Sequence, residues 1–164
     1  MIEIRDVAPS DLDAVRALNA ANVPEVGPLD DGRVALFTAD ADAWWVAVDD
    51  DEVIGLFVGL LAGHDYDSPN YRWFAERHDQ FAYVDRIALA PAARGTGLAD
   101  ELYDRWEAVG RDAGATVFCA EVNTVPANER SLAFHRRRGL EIVAEVAPYE
   151  DDNRVAMLEK SLLG

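Results

Sequence analysis

Val84-Asp85-Arg86-Ile87-Ala88-Leu89-Ala90-Pro91-Ala92-Ala93-Arg94-Gly95-Thr96-Gly97-Leu98-Ala99 reads as a buried strand, a proline stop and a glycine-rich turn that opens a long amphipathic helix. Glycines at such a turn let the backbone approach a ligand closely. The first N–H groups of a helix lack internal partners, and with the positive end of the helix dipole they attract phosphate. Arg94 adds a fixed positive charge beside them. The turn is therefore expected to hold a phosphorylated ligand. Two nucleotide readings fail. A dinucleotide fingerprint needs Gly-x-Gly-x-x-Gly and a P-loop needs Gly-x-x-x-x-Gly-Lys-[Ser/Thr]. Here Arg94-Gly95-Thr96-Gly97-Leu98-Ala99 ends in alanine, and the only lysine of the chain is Lys160.

Outward from this stretch, Leu98, Leu102, Trp106 and Val109 recur at helical spacing and give the following helix, over 94–113, one buried face. Ala115 to Val122 is nearly all apolar, as central parallel strands are. Asn128 caps a last helix that Gly139 ends, and strands follow at 141–147 and 154–158. Upstream, residues 2–7 read as an edge strand. Pro9-Ser10-Asp11 starts a helix with Ser10 or Asp11 as cap, and 29–39 holds a second helix. Residues 43–48 and 53–62 make a hairpin about Asp49-Asp50-Asp51. The stretch 64–80 is polar and aromatic by turns, with one short helix over 71–78. The order predicts an α/β domain over 1–164, with a mixed twisted sheet of 6–7 strands and about four helices. The helix over 94–113 makes a right-handed crossover between parallel strands.

At 164 residues, half of them apolar, the chain suits one domain with its own core. No run of about 18 apolar residues is present, so no membrane partner is expected. The lone Cys119 excludes an internal disulfide and a cysteine-rich zinc site, and no metal is expected. The net charge of −16 argues against nucleic acid, whose phosphates demand lysine and arginine. It suits a cationic acceptor such as an amine, and equally an adaptation to high salt. A soluble cytoplasmic protein is the expectation.

A second block follows the central strand: Asn128-Glu129-Arg130-Ser131-Leu132-Ala133-Phe134-His135-Arg136-Arg137-Arg138-Gly139-Leu140. With Ala92-Ala93-Arg94-Gly95-Thr96-Gly97, it resembles the GNAT superfamily of N-acetyltransferases. That family carries Gln/Arg-x-x-Gly-x-Gly/Ala for acyl-CoA and, later, Asn-x-x-[Ala/Ser]-x-x-Phe-Tyr-x-x-x-Gly-Phe. The departures are Ala92, His135 in place of tyrosine, and Leu140 in place of the last aromatic. The pattern covers most of the chain from Phe81 onward, and its wording is similar to a bacterial and archaeal branch of predicted acetyltransferases. The resemblance implies the GNAT fold, in which the strands at 81–89 and 115–122 splay apart around the pantetheine arm of acetyl-CoA.

The same resemblance implies that Ile87, Ala88, Leu89, Arg94, Gly95, Thr96, Gly97, Leu98 and Ala99 hold the co-substrate acetyl-CoA, with Asn128 and Ser131 near the pantetheine. Asn128 serves equally as a helix cap, and Arg136, Arg137 and Arg138 reach the ribose 3′-phosphate or, as the simpler reading, compensate the helix dipole. Acetyl transfer to an amine of pKa about 10 needs a proton acceptor, oxyanion donors and an acid for the leaving thiolate. Glu121 and Asp85 are the candidate bases, since a carboxylate in an apolar strand is costly unless used or paired. Asp85 also reads as the ion-pair partner of Arg86, and Glu121 as a structural hydrogen-bonding group. His135 occupies the position of the family's thiolate-protonating tyrosine, or else packs. The acceptor, a small-molecule or peptide amine, is expected to meet 22–31, the 43–62 hairpin and the aromatic insert 64–80, where Trp44, Trp45, Tyr71, Trp73 and Tyr83 either line a pocket or serve as ordinary packing. An acyl-CoA-binding module without turnover, or transfer of another short acyl group, fits the same residues. A homodimer would use the C-terminal strands or the aromatic insert.

Overall fold

A computed structural model describes residues 1–163. Along the chain run β1 (Ile2–Asp6), α1 (Leu12–Ala20), α2 (Asp31–Asp40), β2 (Ala43–Asp49), β3 (Glu52–Leu61), α3 (Pro69–Ala75), β4 (Phe81–Leu89), α4 (Leu98–Asp112), β5 (Val117–Val125), α5 (Glu129–Arg137), β6 (Glu141–Val146) and β7 (Arg154–Ser161). Short 3-10 turns stand at Pro9–Asp11 and Pro91–Ala93. The strands form one seven-stranded mixed sheet ordered β1-β2-β3-β4-β5-β7-β6. The α/β class is as expected, with five α-helices among the described residues rather than about four.

Two compact units make up the chain, Met1–Leu60 with Asp85–Ala108, and Leu61–Val84 with the residues from Val109 on. In the first, β1, β2 and β3 form an antiparallel meander. Asp50 and Asp51 both adopt positive φ (49° and 65°), the left-handed pair that joins twisted strands by a two-residue hairpin turn. Strand alternation sends Trp44 and Trp45 to opposite faces. Trp44 meets Phe37 of α2 at 5.6 Å between ring centroids, whereas Trp45 stacks on Phe57 at 5.4 Å. Trp106 of α4 meets Trp45 edge-on and is fully buried. Asp11 corrects the expected cap of α1. It makes no cap bond into that helix, and its carboxylate instead accepts from Ala8 N at 2.7 Å and from both Arg5 Nη atoms at 2.7 and 3.0 Å. The Arg5 guanidinium holds the Asp11 carboxyl below its ordinary range.

In the second unit, β4 pairs in parallel with β5 over Phe81–Tyr83 against Val117–Cys119. β5 pairs antiparallel with β7, which pairs with β6 on its other side. The aromatic insert forms α3, with Ser68 as N-cap and Pro69 in the first turn. Tyr71 is 1% exposed, stands 5.2 Å from Phe81 and 5.5 Å from Tyr83, and donates its hydroxyl to Leu61 O at 2.7 Å. Gly139 ends α5 at φ +89°, where glycine carries no steric cost.

Candidate active site

The glycine turn is built in three steps. Pro91 ends β4 and opens the 3-10 turn, with Ala93 N–H returning to Ala90 O at 2.9 Å. Gly95 and Gly97 then take φ +75° and +88°, values that L side chains rarely adopt. α4 starts at Leu98, whose side chain is buried. A Cβ built on either glycine would meet no heavy atom within 4 Å, so the turn borders open space at both positions. The Thr96 hydroxyl donates to Ala93 O and braces the turn. Arg94 is exposed and donates to Asn22 Oδ1 at 3.4 Å. It forms no ion pair among the described residues. A left-handed glycine pair, a helix start and an uncancelled guanidinium suit a pyrophosphate. Asp100 and Glu101 in the first turn of α4 oppose an anion, and Glu101 is drawn toward Arg105 at 3.7 Å.

Asp85 stands against Arg86. Its Oδ2 accepts from Arg86 Nε at 2.8 Å, and the two side chains are 5% and 6% exposed. Arg86 Nη1 donates onward to Asn19 Oδ1 at 3.0 Å, Gly27 O at 2.9 Å and Pro28 O at 3.4 Å. The carboxylate is thus the counter-charge of a buried guanidinium that fastens the α1–α2 segment.

Glu121 stands two residues beyond Cys119 on β5. Cys119 is level with Tyr83 on β4, so alternation puts all three side chains on one face. The Tyr83 hydroxyl donates to Glu121 Oε1 at 2.9 Å, and Tyr83 is 1% exposed. Burial, reinforced by Glu159 and Glu121, pushes the Cys119 thiol far above its ordinary range, so it is not a nucleophile. On α5, Asn128 Oδ1 accepts from Ser131 N at 3.3 Å, a helix cap. His135 is buried and its Nδ1 lies 2.7 Å from Ser131 O. A carbonyl only accepts, so this nitrogen carries the proton of the neutral ring. Burial lowers the pKa of His135, Arg138 lowers it further, and the bond to Ser131 opposes both.

The profile of the acetyltransferase (GNAT) family matches residues 12–140. The chain belongs to that family. No curated protein sequence matches it. Solved structures share the GNAT fold at low identity. Ard1 of Thermoplasma volcanium superposes with a TM-score of 0.78 at 18% identity, over 99% of both chains. Naa50 of Arabidopsis thaliana, in complex with the bisubstrate analogue CoA-Ac-MVNAL, gives 0.74 at 17% over 98% of both chains. The yncA protein of Salmonella typhimurium, solved with its cofactor acetyl-CoA, gives 0.73 at 18%, over 100% of this chain and 95% of that one.

In this GNAT chain the residues expected at the site fall into separate groups: the glycine turn, Asp85 with Arg86, Glu121 with Tyr83, and Asn128 with Ser131 and His135. Three of the aromatics expected around the acceptor are packed: Trp44, Tyr71 and Tyr83 are 9%, 1% and 1% exposed. Trp73 is covered by the Arg77 guanidinium at 3.5 Å. Sequence reading missed the Tyr83 hydroxyl as partner of Glu121, because the two lie 38 residues apart and only β4–β5 register joins them. It also missed Asn22, which looks like any loop asparagine, as the hydrogen-bond partner of Arg94. Among the described residues no helix is long and apolar enough to cross a membrane.

Proposed function

We propose that the protein transfers the acetyl group of acetyl-CoA directly to a primary amine of a small molecule, amino acid or peptide. The observation that carries this is the turn at Arg94–Leu98, with two left-handed glycines facing open space and an arginine that no carboxylate neutralises. Acetyl-CoA and CoA-containing ligands in structures of the same fold support it. The turn binds the pyrophosphate, and the backbone of Ile87 to Leu89 receives the pantetheine. The amine arrives as an ammonium, and Glu121, oriented by Tyr83, accepts a proton from it. The amine nitrogen then bonds to the acetyl carbon, the carbon–sulfur bond breaks, and the second proton that the nitrogen gives up ends on the departing sulfur, so that CoA leaves as its thiol. Asp85 is ion-paired and serves structure, and His135 enters as a neutral group on α5. The acidity of the chain suits a cationic acceptor, and cytoplasm is its expected setting.

Calorimetric titration with acetyl-CoA, CoA and NADH tests the co-substrate. Acetyl-CoA and CoA should bind and NADH should not, and Gly97→Glu should abolish binding. Equal binding of NADH, or none of acetyl-CoA by the folded protein, would refute the proposal. With an amine found by screening, Glu121→Gln should lower kcat by about 10²–10⁴-fold and leave the acetyl-CoA Kd unchanged. Undiminished kcat would remove Glu121 from proton transfer. Binding without turnover over a broad amine panel would favour a regulatory module.

A further inference from the structure

We propose that Asn22 is a positioning residue of the glycine turn: its amide holds the Arg94 guanidinium in place for an anion while leaving the charge of Arg94 uncancelled. The inference rests on the reading of that turn as the acyl-CoA site.

The amide has one orientation. Asn22 Nδ2 lies 2.9 Å from Leu18 O, at the end of α1, and 3.4 Å from Leu89 O, at the end of β4. Two carbonyls can only accept, so the nitrogen faces them and Oδ1 faces Arg94 Nη2 at 3.4 Å. The position thus calls for two donors and one acceptor on a short side chain, which asparagine supplies. Aspartate would set a carboxylate oxygen against both carbonyls and would pair with the guanidinium.

The segment that presents Asn22 is fastened from below. In residues 21–30 only Val26 is buried. Polar bonds do the rest: Gly27 O accepts from Asn19 Nδ2 at 3.0 Å and from Arg86 Nη1 at 2.9 Å. Asn19 and Arg86 are 1% and 7% exposed. Arg86 and Asp85 thereby act on the turn from a distance, through the segment.

Charge makes the choice of an amide informative. The chain carries 31 acidic residues, and Arg5, Arg16, Arg86 and Arg105 all pair with carboxylates. Arg94 is met by an amide. An arginine oriented but not neutralised keeps its full attraction for a pyrophosphate, in a molecule whose field otherwise repels one.

The test is a double-mutant cycle on the acetyl-CoA Kd at low salt, with melting curves to confirm that each variant folds. Asn22→Ala should raise Kd by about threefold to tenfold, the size of a lost orienting hydrogen bond. In an Arg94→Gln background it should add nothing. Asn22→Asp, nearly the same size, should raise Kd at least as much, with a penalty that shrinks as NaCl screens the new carboxylate. Should the wild-type protein not bind acetyl-CoA, the reading of the turn fails and Asn22 loses its role with it. Should the wild type bind while Asn22→Ala binds equally well, or loses affinity equally in both backgrounds, the turn stands and the role of Asn22 alone is overturned. If Asn22→Ala does not fold, a salt-independent loss in Asn22→Asp overturns that role instead.

Discussion

A residue's chemistry is set by what surrounds it, and His135 shows this directly. Its position on α5 was readable from the Asn128-to-Gly139 pattern, but its tautomer depends on a carbonyl one turn away and its charge on burial. Its folded pKa lies below the unfolded value of about 6.5. As pH falls, the unfolded chain therefore binds a proton before the folded one does. The stability present above about pH 6.5 is lost between the unfolded and the folded pKa. The urea midpoint should drop between pH 7.5 and 5.5, and His135→Phe should flatten that drop. Parallel slopes in the two proteins would show that His135 titrates alike in both states. A neutral ring with its proton on Nδ1 has none on Nε2, so thiolate protonation by His135 would first require recharging a buried group.

At the scale of elements, close packing decides what can be exchanged. Gly59 on β3 faces the Trp106 ring, and a Cβ there would lie 2.6 Å from it. Gly59→Ala should cost about 1–3 kcal/mol in urea unfolding, the usual range for overpacking a filled core. A cost near zero would mean that α4 shifts freely on the strands. Boundaries were legible where two signals coincided. β4 was read at 81–89, as observed, because an apolar run met Pro91. α3 was read as 71–78 and runs Pro69–Ala75, although Ser68-Pro69 is a regular cap-and-proline start. The surrounding mixture of aromatic and polar residues hid it, because the buried face consists of Tyr71 and Phe74 alone, too short a stripe to set a helical period. Strand order was not legible, since no local signal says that β7 enters the sheet beside β5.

For the molecule as a whole, charge outweighs any single contact. At −16 the compact state repels itself, and salt should relieve this. Tm should rise by several degrees as NaCl goes from about 0.05 to 1 M, where the Debye length falls to about 3 Å. A falling Tm would mean that ion pairs such as Arg5–Asp11 outweigh the repulsion. The family was legible because its glycine turn is contiguous in sequence. The Tyr83–Glu121 pair was not, because register alone creates it. The place of β7 between β5 and β6 has a further consequence, for synthesis. On the ribosome β6 emerges before the strand it pairs with, so the backbone edges of β6 and of the open side of β5 stay available to neighbouring nascent chains until residues 154–161 arrive.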